Sequence, residues 1–263
     1  MKTITTFLGV VACCILLFAA QPALAVPVDL EIVLAVDVSG SVNDTEYLLQ
    51  RTGYVNAFNN PVTQNIILYG ADQTSGTADD PTYGKIAVAV VYWATDAATR
   101  INWTLIDSAA SASAFATAFA ALTDTPPPNN ATGVGNAINF STSLLTANNN
   151  FEGDKWIIDI SGDGANNTGP AAAGARDAAL LAGVDQINGL AILGEAGLEA
   201  WYNANVKGGT DAFVLAANDF AAFGSAIQMK LEREFGGSDI PEPSTILLLG
   251  AGLAGVGLLR RRS

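Results

Sequence analysis

Two hydrophobic periods alternate along this chain. Continuous apolar, β-branched runs predict buried strands over 30–36, 86–94, 101–105, 156–160, 187–193 and 212–216. Between and after them, amphipathic stretches predict helices over 46–58, 112–122, 134–145, 171–181, 198–205 and 219–235. Phe115, Phe119 and Leu122 recur at helical spacing, as do Phe220, Phe223, Ile227 and Leu231, so both sets read as core-facing stripes. Asn218 is placed to cap the last helix. This alternation predicts an α/β domain with a doubly wound, mostly parallel six-stranded sheet and helices on both faces. The link between 86–94 and 101–105 is too short for a parallel crossover, so those two strands pair as an antiparallel hairpin at a sheet edge. The polar stretch GADQTSGTADDPTYG, residues 70–84, reads as a loop.

The two ends do not share this pattern. Residues 1–25 carry Lys2, an apolar stretch and a terminal Ala-Leu-Ala, the layout of a secretory signal peptide cleaved before Val26. A lipoprotein site at Cys13 or Cys14 fits poorly, because the apolar segment runs on to Phe18. Residues 241–263 read PEPSTILLLGAGLAGVGLLRRRS: Pro-Glu-Pro, sixteen uncharged residues over 244–259, then Arg260, Arg261 and Arg262. As a helix that apolar segment would span about 24 Å, short but workable across a bilayer, and the arginines predict a cytoplasmic end. The tail resembles the PEP-CTERM sorting signal of Gram-negative bacteria. That resemblance implies transient membrane anchoring, removal by an exosortase-type protease, and release at or beyond the cell surface. One domain of about 215 residues, 26–240, lies between the two sorting segments.

Composition then removes several chemistries. Both cysteines lie in the signal peptide, so the exported chain has neither disulfide nor thiol chemistry. The chain has no histidine, which excludes Ser-His-Asp and Cys-His catalysis and histidine-ligated zinc. Setting aside Lys2 and the three terminal arginines from 12 basic residues, and Glu242 from 25 acidic ones, leaves 8 against 24, a net charge near −16. Such a surface repels nucleic acid and accommodates divalent cations.

The informative chemistry sits at predicted strand ends, where open parallel sheets bind their ligands. In IVLAVDVSGSVND, residues 32–44, the first strand stops at Asp37 and offers Ser39 and Ser41. A nucleophile, a phosphate cradle and a metal site would each use such a group, and the serines would equally well start a turn and cap a helix. NNATGVG places Thr132 before a helix, and ISGDGANN places Asp163 just beyond a strand. Together these are three hydroxyls and two carboxylates, an all-oxygen set suited to Mg²⁺, Mn²⁺ or Ca²⁺. DVSGS at 37–41, Thr132 in TGVG and Asp163 in SGDG resemble the three elements of the metal-ion-dependent adhesion site of von Willebrand factor type A domains. The resemblance covers most of residues 29–235. It implies a metal held by Asp37, Ser39, Ser41, Thr132 and Asp163, hydroxyls contacting it directly and aspartates acting largely through water. It also implies an open coordination position that an acidic group of a partner completes. SGDG departs from the family, many of whose members have threonine before the aspartate.

Other features are weighed the same way. Asp159, inside an apolar strand, is either a carboxylate that orients a ligand or a hydrogen-bonded structural group. Asp72, Asp79 and Asp80 do not have EF-hand spacing and read as a solvated acidic loop. GAGLAG at 250–255 matches a dinucleotide fingerprint but lacks the strand and acid that must follow. The expectation is therefore a secreted binding or adhesion module that recognises an acidic protein or polysaccharide through a divalent cation, and not an enzyme. A structural matrix protein with an idle metal site is the alternative. A phosphatase-like hydrolase using Asp37 is disfavoured, since the position two residues on is Ser39 rather than a second aspartate and no histidine can act as base.

Overall fold

The computed structural model describes residues 25–123, 131–147 and 149–236. The expected signal peptide, apart from Ala25, and the sorting tail with its expected membrane helix lie outside the described residues. Among the described residues no helix is long and apolar enough to cross a membrane. In chain order the elements are β1 (Val26–Val28), β2 (Leu30–Asp37), α1 (Asp44–Asn59), α2 (Pro61–Tyr69), β3 (Ile86–Trp93), β4 (Ala97–Ile106), α3 (Ala109–Ala120) and α4 (Val134–Thr146). They continue with β5 (Phe151–Gly153), β6 (Trp156–Gly162), α5 (Ala172–Leu181), β7 (Gln186–Ile192), α6 (Leu198–Asn205), β8 (Gly208–Gly209), β9 (Val214–Ala217) and α7 (Phe223–Glu234).

The main sheet runs β4-β3-β2-β6-β7, with β9 parallel and the two-residue β8 antiparallel on the far side of β7. All six expected strands are in it, mostly parallel, and the β3–β4 pair is the expected antiparallel edge hairpin. β8 is an additional short edge strand, and β1 pairs with β5 in a separate parallel ribbon. From β2 the chain steps first to β3 on one side and later to β6 on the other. The strand order therefore reverses at β2, and a crevice opens where β2 and β6 end, the position at which such sheets bind ligands.

Burial explains the strands. Every residue of β2 and β3 is buried, as expected of strands covered on both faces. Even-numbered β2 side chains, Ile32, Leu34 and Val36, join Tyr54, Phe58, Phe119, Phe223 and Ile227 in the core beneath α1, α3 and α7. Odd-numbered Val33 and Ala35 join Trp93, Ile138, Ile160 and Tyr202 beneath α4, α5 and α6. Glu31, like Asp37 at the other end of β2, is a buried carboxylate among apolar side chains. Its buried carboxylate accepts from the Gly153 amide at 2.8 Å and Trp156 Nε1 at 3.2 Å, which ties the β5 ribbon to the sheet.

Several boundaries differ from expectation. α1 begins two residues early because Asn43 caps it: Asn43 Oδ1 accepts from the Thr45 and Glu46 amides, and Glu46 Oε2 accepts from the Asn43 amide. The serines of DVSGS are thus not the helix cap. α2 was not expected, yet Pro61 at its first turn and the Asn60 cap start it in the usual way. Asn218 does not cap the last helix. The Asp219 side chain instead accepts from the Ala222 amide at 2.8 Å, closing a turn that delays α7 to Phe223.

Candidate functional site

β2 delivers Asp37 to the crevice, on the face shared by Val33 and Ala35. Its side chain is fully buried. Asp37 Oδ1 accepts from the Ser39 amide at 2.7 Å, and the Ser39 carbonyl accepts from the Val42 amide, so residues 39–42 form a tight turn. That turn brings Ser39 Oγ within 3.2 Å of Ser41 Oγ. The Ser41 hydroxyl donates to Asp163 Oδ1 at 2.6 Å, across 122 residues of sequence. Four of the five expected site residues therefore form one connected cluster at the carboxyl ends of β2 and β6.

Thr132 arrives from the loop before α4. Its amide donates to Asn167 Oδ1 at 2.8 Å, and its carbonyl accepts from the Asn167 amide at 2.9 Å. Next to it, the Gly133 amide donates to the Ala94 carbonyl and the Gly135 amide to Asn166 Oδ1. The Thr132 side chain lies beside Gly164, the residue after Asp163. Asn166 and Asn167 have roles that their place in ISGDGANN did not assign. The available signal was two consecutive amides directly after a strand-end aspartate, suited to holding a neighbouring loop.

The electrostatics of the cluster follow from its burial. Desolvation, then the charge of Asp163, push the Asp37 carboxyl up to about 7, against the hydrogen bonds from Ser39. Asp163 is also raised, chiefly by burial, with Glu46 and Glu195 adding negative field and the Ser41 hydrogen bond opposing them. Asp37 Oδ2 is buried without a hydrogen-bond partner. Two carboxylates that burial makes reluctant to ionise, one with an orphaned oxygen, beside three hydroxyl groups, fit a hard divalent cation. Asp37, Ser39, Ser41, Thr132 and Asp163 would hold it. Among the described residues no group of three or more Asp, Glu or Cys side chains is arranged to hold a metal.

The other candidates resolve differently. Asp159 points to the opposite face of the sheet, where Lys230 Nζ pairs with its Oδ1 at 2.7 Å. Lys230 also pairs with Glu234, and Glu234 accepts from Asn188 Nδ2, so Asp159 belongs to a fully buried ionic cluster under α7. Ser161 Oγ lies 3.2 Å from Tyr54 Oη on that same face and does not enter the site. In the exposed loop after α2, Asp72 and Asp79 and Asp80 bond the loop's own amides and the Thr77 hydroxyl.

A doubly wound sheet with this turn at its switch point defines a von Willebrand factor type A-like fold. Solved structures agree in fold. Proximal thread matrix protein 1 from the mussel byssus shares 18% identity and a TM-score of 0.53, over 80% of this chain and 46% of that one. One of its structures is described as having a zinc-occupied MIDAS motif, at 16% identity and a TM-score of 0.53 over 79% and 46%. The pilus adhesin SpaC from Lactobacillus rhamnosus GG shares 14% identity and a TM-score of 0.53, over 82% of this chain and 30% of that one. A von Willebrand factor type A protein from Catenulispora acidiphila shares 14% identity at a TM-score of 0.50, over 80% and 43%. The chain thus spans less than half the length of each. No curated protein matches it. Over residues 27–239 the chain belongs to the family described as "Protein of unknown function (DUF1194)". A PEP-CTERM protein-sorting motif follows at residues 239–262.

Proposed function

We propose that this protein is an extracellular binding module whose contact point is a divalent cation held at the crevice between β2 and β6. The observation that carries the reading is the link from Asp37 through the 39–42 turn to Asp163, which joins two segments distant in sequence around buried, underneutralised carboxylates. Ser39, Ser41 and Thr132 are neutral ligands, so they leave a bound cation with positive charge to spare. When bound, the cation supplies a coordination position that takes an anionic oxygen. The partner chemistry that fits is therefore a carboxylate, on a protein side chain or an acidic polysaccharide. The zinc-occupied example among the structural relatives widens the metals to be tried beyond Mg²⁺, Mn²⁺ and Ca²⁺. The sorting motif supports export, exosortase-type processing and a place at the surface of a Gram-negative cell. The adhesin and the matrix protein among those relatives have roles of the same kind.

A matrix-forming role with an idle metal site is the second reading. It is supported by the likeness in fold to a matrix protein of the mussel byssus. Thermal unfolding in EDTA and then in millimolar Mg²⁺, Mn²⁺, Ca²⁺ or Zn²⁺ separates the two. Cation present at 100 times its Kd stabilises the folded state by about 2.7 kcal/mol, which raises the midpoint by several degrees. The binding reading requires that rise in the wild type and its loss in Asp37→Ala. The same midpoint with and without every ion would leave the matrix role.

A further inference from the structure

We propose that Tyr202, reaching across the sheet from α6, is the residue that orients the Asp37 carboxylate, and that Gly162 is glycine so that it can do so. The proposal deepens the cation-site reading and rests on it for its functional meaning.

Three buried polar atoms on the α4–α6 side of the sheet lack hydrogen-bond partners: Asp37 Oδ2, Tyr202 Oη and Trp93 Nε1. They belong to three different elements, yet their side chains converge on one point. A Cβ built on Gly162 would stand 2.7 Å from Asp37 Oδ2, 2.7 Å from Tyr202 Oη and 2.9 Å from Trp93 Cζ2. The phenol and carboxylate oxygens are thus separated by at most twice 2.7 Å without bonding each other directly, a span that one bridging water covers. The chemistry is matched in sign, since a phenol donates and an ionised carboxylate only accepts.

The path of the ring explains how a helix residue gets there. A Cβ on Gly189 in β7 would stand 2.8 Å from Tyr202 Cδ1. The ring therefore lies over Gly189 in β7 and its hydroxyl over Gly162 in β6, and β2 with Asp37 is the next strand along. Two glycines on adjacent strands make a slot for one tyrosine. Any side chain at residue 162 would fill the space between Asp37 and the phenol.

With Oδ1 held by the Ser39 amide and Oδ2 facing the Tyr202 hydroxyl, the proposed contact would fix the carboxylate at both oxygens. A group that orients a metal-site carboxylate typically contributes about 10–100-fold in metal affinity.

The test uses the exported chain and Mn²⁺ alone as the probe. Tyr202→Phe keeps the ring in its slot and removes only the hydroxyl. The expected result is Mn²⁺ affinity, by calorimetry, weaker by about 10–100-fold. In EDTA, hydrogen exchange at the Ser39 amide is expected to accelerate, while the amides of α6 keep their protection. Gly162→Ala, which drives a methyl between the two groups, should weaken Mn²⁺ binding as well. The two losses should not add in the double variant, because both act on one contact. Wild-type affinity together with wild-type Ser39 exchange in Tyr202→Phe would overturn the proposal. If the wild type itself binds no Mn²⁺, it is the cation-site reading that fails, and Ser39 exchange then decides whether Tyr202 positions Asp37.

Discussion

The Asp37→Asn substitution should stabilise the protein without metal and cripple it with metal. In the wild type, burial and the Asp163 charge raise the Asp37 carboxyl from 3.8 to about 7. A carboxyl whose pKa is raised on folding binds its proton more tightly in the native state. Metal-free stability therefore falls as pH rises from about 4 to about 7, and the loss is complete above that. A shift of that size corresponds to about 4 kcal/mol between pH 4 and pH 8. The substituted side chain cannot ionise, keeps an oxygen for the Ser39 amide and presents an amide nitrogen that the Tyr202 oxygen can accept. In EDTA at pH 8 the variant should thus be more stable by about 2–4 kcal/mol, which is a midpoint higher by about 10 °C. At pH 4 the two proteins should be nearly equal. Glu234, raised from 4.5 to about 8 by burial and the Asp159 charge, adds a downward slope of its own but does so in both proteins. Saturating Mn²⁺ should reverse the order, because only the wild type gains binding energy. Urea titrations at the two pH values, with and without Mn²⁺, measure all four quantities. A variant less stable than wild type in EDTA at pH 8 would refute the argument, since it would mean that the ionised carboxylate is favoured by its surroundings before any cation arrives.

Three further variants have expected outcomes. Lys230→Met removes the cation that Asp159 and Glu234 share in the α7 cluster and leaves two buried carboxyls; urea unfolding at pH 8 should show a loss of about 3–5 kcal/mol, shrinking as pH falls and Glu234, already raised by burial, takes up a proton. Asn167→Ala frees the Thr132 amide and should lower stability by about 1–2 kcal/mol while weakening Mn²⁺ binding by calorimetry, whereas Asn60→Ala, which removes the α2 cap far from the site, should lower stability by about 1 kcal/mol and leave Mn²⁺ affinity unchanged.

What could be read from the sequence was whatever depends on short-range pattern. Fully buried strands such as β2 and β3 announce themselves as unbroken apolar runs, and a carboxylate ending such a run lands at the sheet's carboxyl edge. Asp37, Asp163 and the hydroxyls between and beside them were legible for that reason. Local competition between caps was less legible. Asn43 outcompetes the serines as the cap of α1 because Glu46 completes a reciprocal pair, and Asp219 pre-empts Asn218 by closing a turn first. α2 was hidden because QNIILY is apolar without a clear period, so only the Asn-Pro start distinguishes it from a loop.

Outside the candidate site, side-chain pairings between distant elements were not legible, and they decide what each polar group does. Asp159 and Asp37 both lie in apolar strands, yet they serve opposite faces. The two-residue alternation of β2 and β6 sends Asp37 toward α6 and the crevice, and Asp159 toward Lys230 of α7. Lys230 and Glu234, four residues apart on the buried side of α7, look like an ordinary solvated helix pair until Asp159 is placed beneath them. Gly162 is the sharpest case. In sequence it is a departure from a motif, a place where a side chain is missing. In the fold it is the opening through which Tyr202, forty residues later, faces Asp37. A glycine in a buried strand is read from what its absent Cβ would strike, and here it would strike the carboxylate on which the candidate cation site depends.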